Sequence, residues 1–278
     1  MKYINWNPEN DSYLKEIEMT IHDNYHNKLS CNVDNINNIF MQRASRLKSL
    51  KKILSKLDEK IAGNILEVGA GDAWCSVYLL GHVKDIKEMH IMEINESAVK
   101  KLIPSILEKY CICLDNITLI KGSFNDIKNE SYYDYVFAMG SLHHSSNLYK
   151  TMMSIYKSLK PGGMLLAHEP YMFNEIKNKF YFDRQNEVVN FKNMVKIKNE
   201  ERTDLFYRLC EYQTAGFHAG YDVYYEDVTH FKKKFGKYKI LSIFGDKIKS
   251  NVHTPRDAIF IFQKPFCNYD KNSVTAWE

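Results

Sequence analysis

Asn64 to Ser76 reads NILEVGAGDAWCS. The segment starts as the short apolar run of a buried strand and then turns small and polar. Glu67 stands two residues before Gly69, Ala70 separates Gly69 from Gly71, and Trp74 opens a run with helical spacing. Glycines at a strand–helix junction let backbone come close to a nucleotide-like ligand. The dinucleotide fingerprint G-x-G-x-x-G does not describe this loop. Trp74 occupies the place of the third glycine, where helix and strand must pack closely, and Glu67 would repel a pyrophosphate. A Walker loop is excluded because Gly-Lys-Ser/Thr is missing. A carboxylate beside a tight glycine turn suits a ligand that presents a cation. Glu93 lies 24 residues past Gly69 at the end of the next apolar run, near the spacing at which an acid takes a ribose hydroxyl.

Outward from this loop the chain alternates. NILEVG predicts a strand, DAWCSVYLLG a helix capped near Gly81, MHIMEI a strand, and ESAVKKLIPSILEKY a helix weakened at Pro104. ITLIKG and YDYVFAMG predict two more strands. NLYKTMMSIYKSLK predicts a helix stopped by Pro161-Gly162-Gly163, and GMLLAHEP a fifth strand. Such alternation predicts a mostly parallel, Rossmann-like sheet of seven strands with helices on both faces. Residues 1–62 are expected to form a helical extension, with Ile36, Ile39, Phe40, Leu47, Leu50, Ile53, Leu54 and Leu57 on one stripe. Residues 63–278 are then the main domain, interrupted at 171–235 by a helical insertion that is rich in aromatics and cations and shows no strand pattern. KYKILSIFGD and RDAIFIFQKP, joined by a short polar stretch, are expected to pair antiparallel at the end of the sheet.

Composition sets bounds. Over 278 residues, 45% apolar content and 26% charge are ordinary for a globular chain, and a net charge of +4 is too mild to argue for nucleic acid. No window supplies the ~18 apolar residues of a membrane span, and the start MKYINWNPEN has no signal-peptide core, so a cytoplasmic protein is expected. The six cysteines are scattered. Cys111-Ile112-Cys113 lacks the second pair that a zinc site needs, so no metal is expected.

EVGAGDA resembles the first motif of the class I S-adenosylmethionine-dependent methyltransferases, E/D-x-G-x-G-x-G/A. HIMEIN, IKGSFNDI, YDYVFAMGSLHHSSN and LKPGGMLLAHEP resemble the blocks that follow in that family, in order, over roughly residues 60–170. The resemblance implies S-adenosylmethionine as cofactor and S-adenosylhomocysteine as product. It implies that Glu67 meets the methionyl ammonium, directly or through water, and that Gly69, Ala70 and Gly71 let the backbone approach. Glu93 would bind the ribose with Ile94 beside the adenine. Ser123, in place of the usual aspartate, and Phe124 would flank the adenine, and Met139 and Gly140 would line the methionine moiety.

The block after the fourth strand bears on the acceptor. MGSLHHSS holds neither the amide–aromatic cluster of amino-methylating nucleic-acid enzymes nor an acidic metal cluster. The LHH loop resembles the metal-independent branch that methylates small molecules, in which a loop histidine takes the acceptor proton. His143 and His144 match that position and Glu169 its acidic support, although Ser145-Ser146-Asn147 replaces the usual continuation. Within 171–235, Tyr171, Phe173, Phe180, Tyr181, Phe182 and Arg184 would line an acceptor lid, and His218 is a second candidate base or contact. The expected function is methyl transfer to an oxygen, ahead of a nitrogen, of a small polar molecule. Methylation of RNA or protein, and a non-catalytic cofactor-binding module, are the alternatives.

Overall fold

The computed structural model describes residues 1–6, 43–57, 60–145, 147–171, 207–229 and 256–266. The first strand is β1, Lys2–Asn5, followed by helix α1, Ala44–Leu54. Strand β2 is Ala62–Val68, helix α2 Trp74–His82 and strand β3 Asp85–Glu93. A π-helical turn, Ala98–Leu102, leads into α3, Ile103–Lys109, and then β4, Ile117–Lys121, and β5, Tyr133–Met139. After a 3-10 turn at Leu142–His144 come α4, Leu148–Ser158, β6, Leu159–Tyr171, α5, Leu209–Ala219, β7, Asp222–Asp227, and β8, Arg256–Gln263.

These strands form one eight-stranded sheet in the order β1-β4-β3-β2-β5-β6-β8-β7. It is parallel from β1 through β6, and β8 runs antiparallel to both β6 and β7. The order reverses direction between β2 and β5. Their carboxyl ends therefore lie at the switch point where α/β sheets leave a crevice for ligand. Both faces are apolar. Ile65, Ile91, Phe137, Leu166 and Ile259 face one core with α1, α2 and α3, while Leu66, Val136, Leu165, Phe260 and Phe262 face the other with α4 and α5.

Five expectations need correction. The sheet has eight strands rather than seven, because Lys2–Asn5, placed in a helical extension, adds parallel to β4. All four residues are exposed, so no burial period marked them. Residues 209–227 are a helix and a strand rather than strandless insertion, and Tyr171 is the last residue of β6. Strand β7 shows a mixed burial pattern because it is an edge strand, which hides the alternation a sequence reader looks for. The antiparallel partners of β8 are β6 and β7; KYKILSIFGD, at 237–246, lies outside the described residues. Helix α2 runs through Gly81 to His82 and ends on Val83, so Gly81 is no cap. Ile36, Ile39, Phe40, Phe173, Phe180, Tyr181, Phe182 and Arg184 also lie outside the described residues.

Helix α1 lies across β6, β8 and β7. Leu50 and Ile53 are fully buried in the first core, and Lys52 and Lys56 both pair with Glu226 on β7, where Lys56 also donates to Tyr224 Oη at 2.8 Å. The buried pair carries the docking energy, since exposed ion pairs are worth little. Ile53→Ala is expected to lower unfolding free energy by about 2–5 kcal/mol in urea melts. A loss below about 1 kcal/mol would show that α1 rests on the sheet without being part of its core.

Candidate functional site

The crevice is organised by buried carboxylates that accept backbone N–H groups. Glu93, last residue of β3, accepts from Gly71 N at 2.8 Å through one oxygen and from Ile94 N and Asn95 N at 2.8 and 3.1 Å through the other. Ala70 N donates to Met92 O at 3.0 Å, so the glycine loop is tied to the end of β3 at two successive strand residues. Gly69 and Gly71 have φ of 61° and 57°, in the left-handed region glycine tolerates. Ala73, at φ 54°, holds the same region just ahead of α2. A Cβ on Gly69 would lie 2.6 Å from Ser141 Cβ, which shows how closely the β2 loop approaches the β5 loop. Trp74 is buried in the first turn of α2, consistent with a junction that never accommodates a third glycine.

Glu67 is turned toward α2. Its Oε2 accepts Ser76 N at 2.9 Å and the Ser76 hydroxyl. Burial pushes its carboxyl up, and nearby Asp72 and Glu93 add to the shift; the Ser76 hydrogen bonds oppose it only partly, leaving a pKa of about 8. Phe124 is half-buried and close to Gly69, while Ser123 Oγ accepts Asn125 N at 3.2 Å. Met139 ends β5, and Gly140, at φ 85°, turns the chain out of it.

The other buried acid is Glu169 on β6. One oxygen accepts Ser141 N and Leu142 N, both at 2.8 Å. The other accepts His143 N at 3.3 Å and pairs with His143 Nδ1 at 2.8 Å. Burial raises the Glu169 carboxyl, yet the His143 side chain and the backbone donors outweigh it and hold the group below its ordinary value. Glu169 stays an anion, and His143 Nδ1 carries the hydrogen toward it. His144 is half-buried with its ring 4.0 Å from that of His143. Of the pair singled out by sequence, His143 is hydrogen-bonded to Glu169, and His144 lies beside it with its ring tilted by 39°.

Two expected acceptor contacts are placed elsewhere. His218 is exposed near the end of α5, where the chain turns back at Gly220 toward the end of β8 paired with the start of β6, far from the strand ends that bear Glu93 and Glu169. Tyr171 is buried and donates its hydroxyl to Asp227 at 2.8 Å, a tie between β6 and β7. The causes differ: α5 carries His218 down the second face of the sheet, while Tyr171 stays at the carboxyl end of β6 with its hydroxyl engaged by Asp227.

Arginines of α1 enter the site unannounced. Arg43 pairs with Asp72 in the glycine loop at 3.4 Å, and Arg46 Nη1 donates to Met139 O at 3.4 Å. A Cβ on Gly140 would lie 2.7 Å from Arg46 Cζ, so the guanidinium rests on that glycine. In sequence, Arg43 and Arg46 look like the solvated face of an amphipathic helix. Ser141 and His168 are the other residues that sequence reading passed over.

Comparison with known proteins agrees with this fold. A family profile described as "Methyltransferase domain" matches residues 65–163. The chain is 29% identical over 134 residues to a probable polyketide synthase 14 of Dictyostelium discoideum, covering 43% of this chain and 4% of that protein. It is 30% identical over 101 residues to the uncharacterized methyltransferase YdaC of Bacillus subtilis, covering 36% of this chain and 52% of that one. The chain thus spans about half, or far less, of the curated relatives it matches. Its fold is similar to that of a Haemonchus contortus phosphoethanolamine N-methyltransferase 2 solved with S-adenosyl-L-methionine, with a TM-score of 0.56 and 15% identity over 78% of this chain and 52% of that one.

The Glu67 carboxyl gives a pH signature. Its folded pKa lies above its unfolded value, so the folded state holds the proton more tightly; stability is complete below the unfolded pKa and is lost as pH rises from about 4.5 toward 8. Glu67→Gln, which keeps an acceptor for Ser76, is expected to gain roughly 1–4 kcal/mol on wild type between pH 5 and 8.5 in denaturant melts. A constant difference across that range would mean Glu67 is ionised throughout.

Proposed function

We propose that this chain, whose residues 65–163 match a methyltransferase domain, is a class I S-adenosylmethionine-dependent enzyme that moves a methyl group from that cofactor to an oxygen of a small polar molecule. The observation that carries the acceptor chemistry is the 2.8 Å bond between His143 Nδ1 and Glu169. The residues present suit the cofactor. Gly69 leaves a cradle that a Cβ would close, Ser141 Oγ is buried without a partner, and Glu93 stands at the end of β3 where ribose hydroxyls are taken. Glu93 would hold the ribose, Ile94, Ser123 and Phe124 the adenine, and Gly69–Gly71, Met139 and Gly140 the methionine moiety. Glu67 would set the polarity beneath it from behind the loop. The cofactor supplies an electrophilic methyl group on a cationic sulfur.

What the chain's own residues contribute is orientation and a base. Glu169 fixes the His143 ring and its tautomer, leaving Nε2 as the proton acceptor, and its negative charge stabilises the imidazolium that forms. His143 Nε2 would take the proton that the acceptor hydroxyl loses. Most of the rate then comes from holding the two reacting atoms in line. Similarity to a probable polyketide synthase is compatible with a small acceptor, and nitrogen stays the second acceptor atom.

His143→Ala is expected to lower turnover ~10²–10⁴-fold with S-adenosylhomocysteine affinity little changed. The wild-type rate should climb with pH as the base loses its proton, and the climb should vanish in the variant. Full turnover by His143→Ala on an oxygen acceptor would reject the assignment. Glu93→Ala should weaken S-adenosylhomocysteine binding by calorimetry roughly ten- to a hundred-fold, the worth of charged hydrogen bonds. Unchanged binding in the folded variant would place the ribose elsewhere.

A further inference from the structure

Strand β1 is exposed along its whole length, so burial does not explain its place on the sheet. What the strand does is run parallel to β4, with Asn5 in register with Lys121, and deliver Trp6 to the carboxyl edge. Trp6 N donates to Lys121 O at 2.8 Å, which extends the ladder by one bond and fixes the residue beside Gly122. A Cβ on Gly122 would lie 3.4 Å from Trp6 Cβ and 3.6 Å from Trp6 Cε3. The indole therefore runs alongside that glycine, on the face of the sheet that Ile120 occupies. The ring is half-buried, and its Nε1–H has no hydrogen-bond partner among the described residues.

Gly122 joins this edge to the end of β3, because its N–H donates to Glu93 O at 3.1 Å. Phe124, two residues on, turns the other way. It packs on the same core, and its Cε1 lies 3.8 Å from where a Cβ on Gly69 would stand. In the order β1-β4-β3-β2, Phe124 thus reaches inward toward the β2 loop while Trp6 stands on the outer side of Gly122. Two aromatic side chains bracket the stretch at which the adenine is placed. A purine is held through its edge by hydrogen bonds and through its faces by apolar or aromatic surface. Here the edge is the weaker half, since Ser123 stands where an aspartate would meet the amino group. An added aromatic face would offset that loss.

We infer that Trp6 is a further cofactor-binding residue: its indole forms the outer wall of the adenine pocket, and β1 is the element that holds it there. This rests on the reading of the crevice given above. Trp6 lies outside residues 65–163, the span that the family profile matches, so the wall belongs to this chain's own N-terminal strand. The role also gives β1 a reason to pair with β4 that its exposed side chains do not supply.

The test uses the full chain with its three tryptophans fluorinated at ring position 5, followed by fluorine NMR. The Trp6 resonance is assigned by its loss in Trp6→Phe. S-adenosylhomocysteine and adenosine are each expected to shift it saturably, and L-homocysteine, which lacks the base, to leave it in place. Affinities come from calorimetry on variants checked for a wild-type melting profile. Trp6→Ala and Trp6→Leu should weaken adenosine and S-adenosylhomocysteine about five- to a hundred-fold, the range for loss of one base–aromatic stack. Trp6→Phe, which keeps a ring, should stay within about threefold of wild type. Leucine still fills the space beside Gly122 and Ile120, so a Trp6 that only packs would be replaced by leucine as well as by phenylalanine. Should the alanine variant not fold, the leucine and phenylalanine variants decide. The inference is overturned if S-adenosylhomocysteine binds without moving the Trp6 resonance, or if Trp6→Leu binds adenosine as tightly as wild type. Either result leaves the function proposed above intact. A wild-type chain that binds neither S-adenosylhomocysteine nor adenosine would overturn both.

Discussion

Glu169 accepts hydrogen bonds from three consecutive backbone N–H groups and one imidazole, and the shape of the crevice at the ends of β5 and β6 depends on it. A buried carboxylate is costly unless it is compensated on every side. Ser141, Leu142 and His143 therefore cannot drift from β6 without uncovering a charge. The short 3-10 turn at Leu142–His144 follows from this, as does the inward aim of the His143 ring. Glu93 plays the matching part on the cofactor side, accepting Gly71, Ile94 and Asn95. Two acids on β3 and β6, with β2 and β5 between them, thus hold the crevice open at the switch point of the sheet.

The two acids differ in how they meet the cost of burial from Glu67, which lies beneath the loop. Glu169 has a cation-capable partner and three amides, and its carboxyl sits below the ordinary value; Glu67 has only Ser76, and its carboxyl sits far above. A proton on Glu67 near neutrality makes it a hydrogen-bonding post for the start of α2 as much as a charge. In the proposed enzyme the negative field at the sulfonium would then come chiefly from Glu93 and from carbonyl groups such as that of Met139. Helix α1 supplies the opposing sign. Arg43 reaches Asp72 in the glycine loop and Arg46 covers Gly140, so the N-terminal helix is a wall of the site and not an appendage.

Much of this was legible in the sequence for a physical reason. Central strands are buried on both faces, so NILEVG, HIMEI and YDYVFAM are unbroken apolar runs, and glycine turns with left-handed backbone have few alternatives. Acids at strand ends stand out against such runs, as Glu67 and Glu93 do, whereas Glu169 was singled out only through the family resemblance. Edge strands lack this contrast: Lys2–Asn5 is exposed throughout and β7 has no clean alternation. His218 was misread because nothing local shows that α5 returns along the sheet, and Tyr171 because its partner Asp227 is 56 residues away. Arg46, Ser141 and His168 were missed because nothing local distinguishes a helix arginine at the solvent from one folded over a glycine of β5's loop. That distinction is made by long-range packing of Leu50 and Ile53.

The most direct measurement is a crystal structure of the chain with S-adenosylhomocysteine. The account predicts the ribose hydroxyls within hydrogen-bond distance of Glu93, the homocysteine moiety over Gly69–Gly71 and Met139, and the sulfur facing the loop that carries His143. A ligand bound away from the ends of β2 and β3, or one whose sulfur points away from His143 and Glu169, would contradict it.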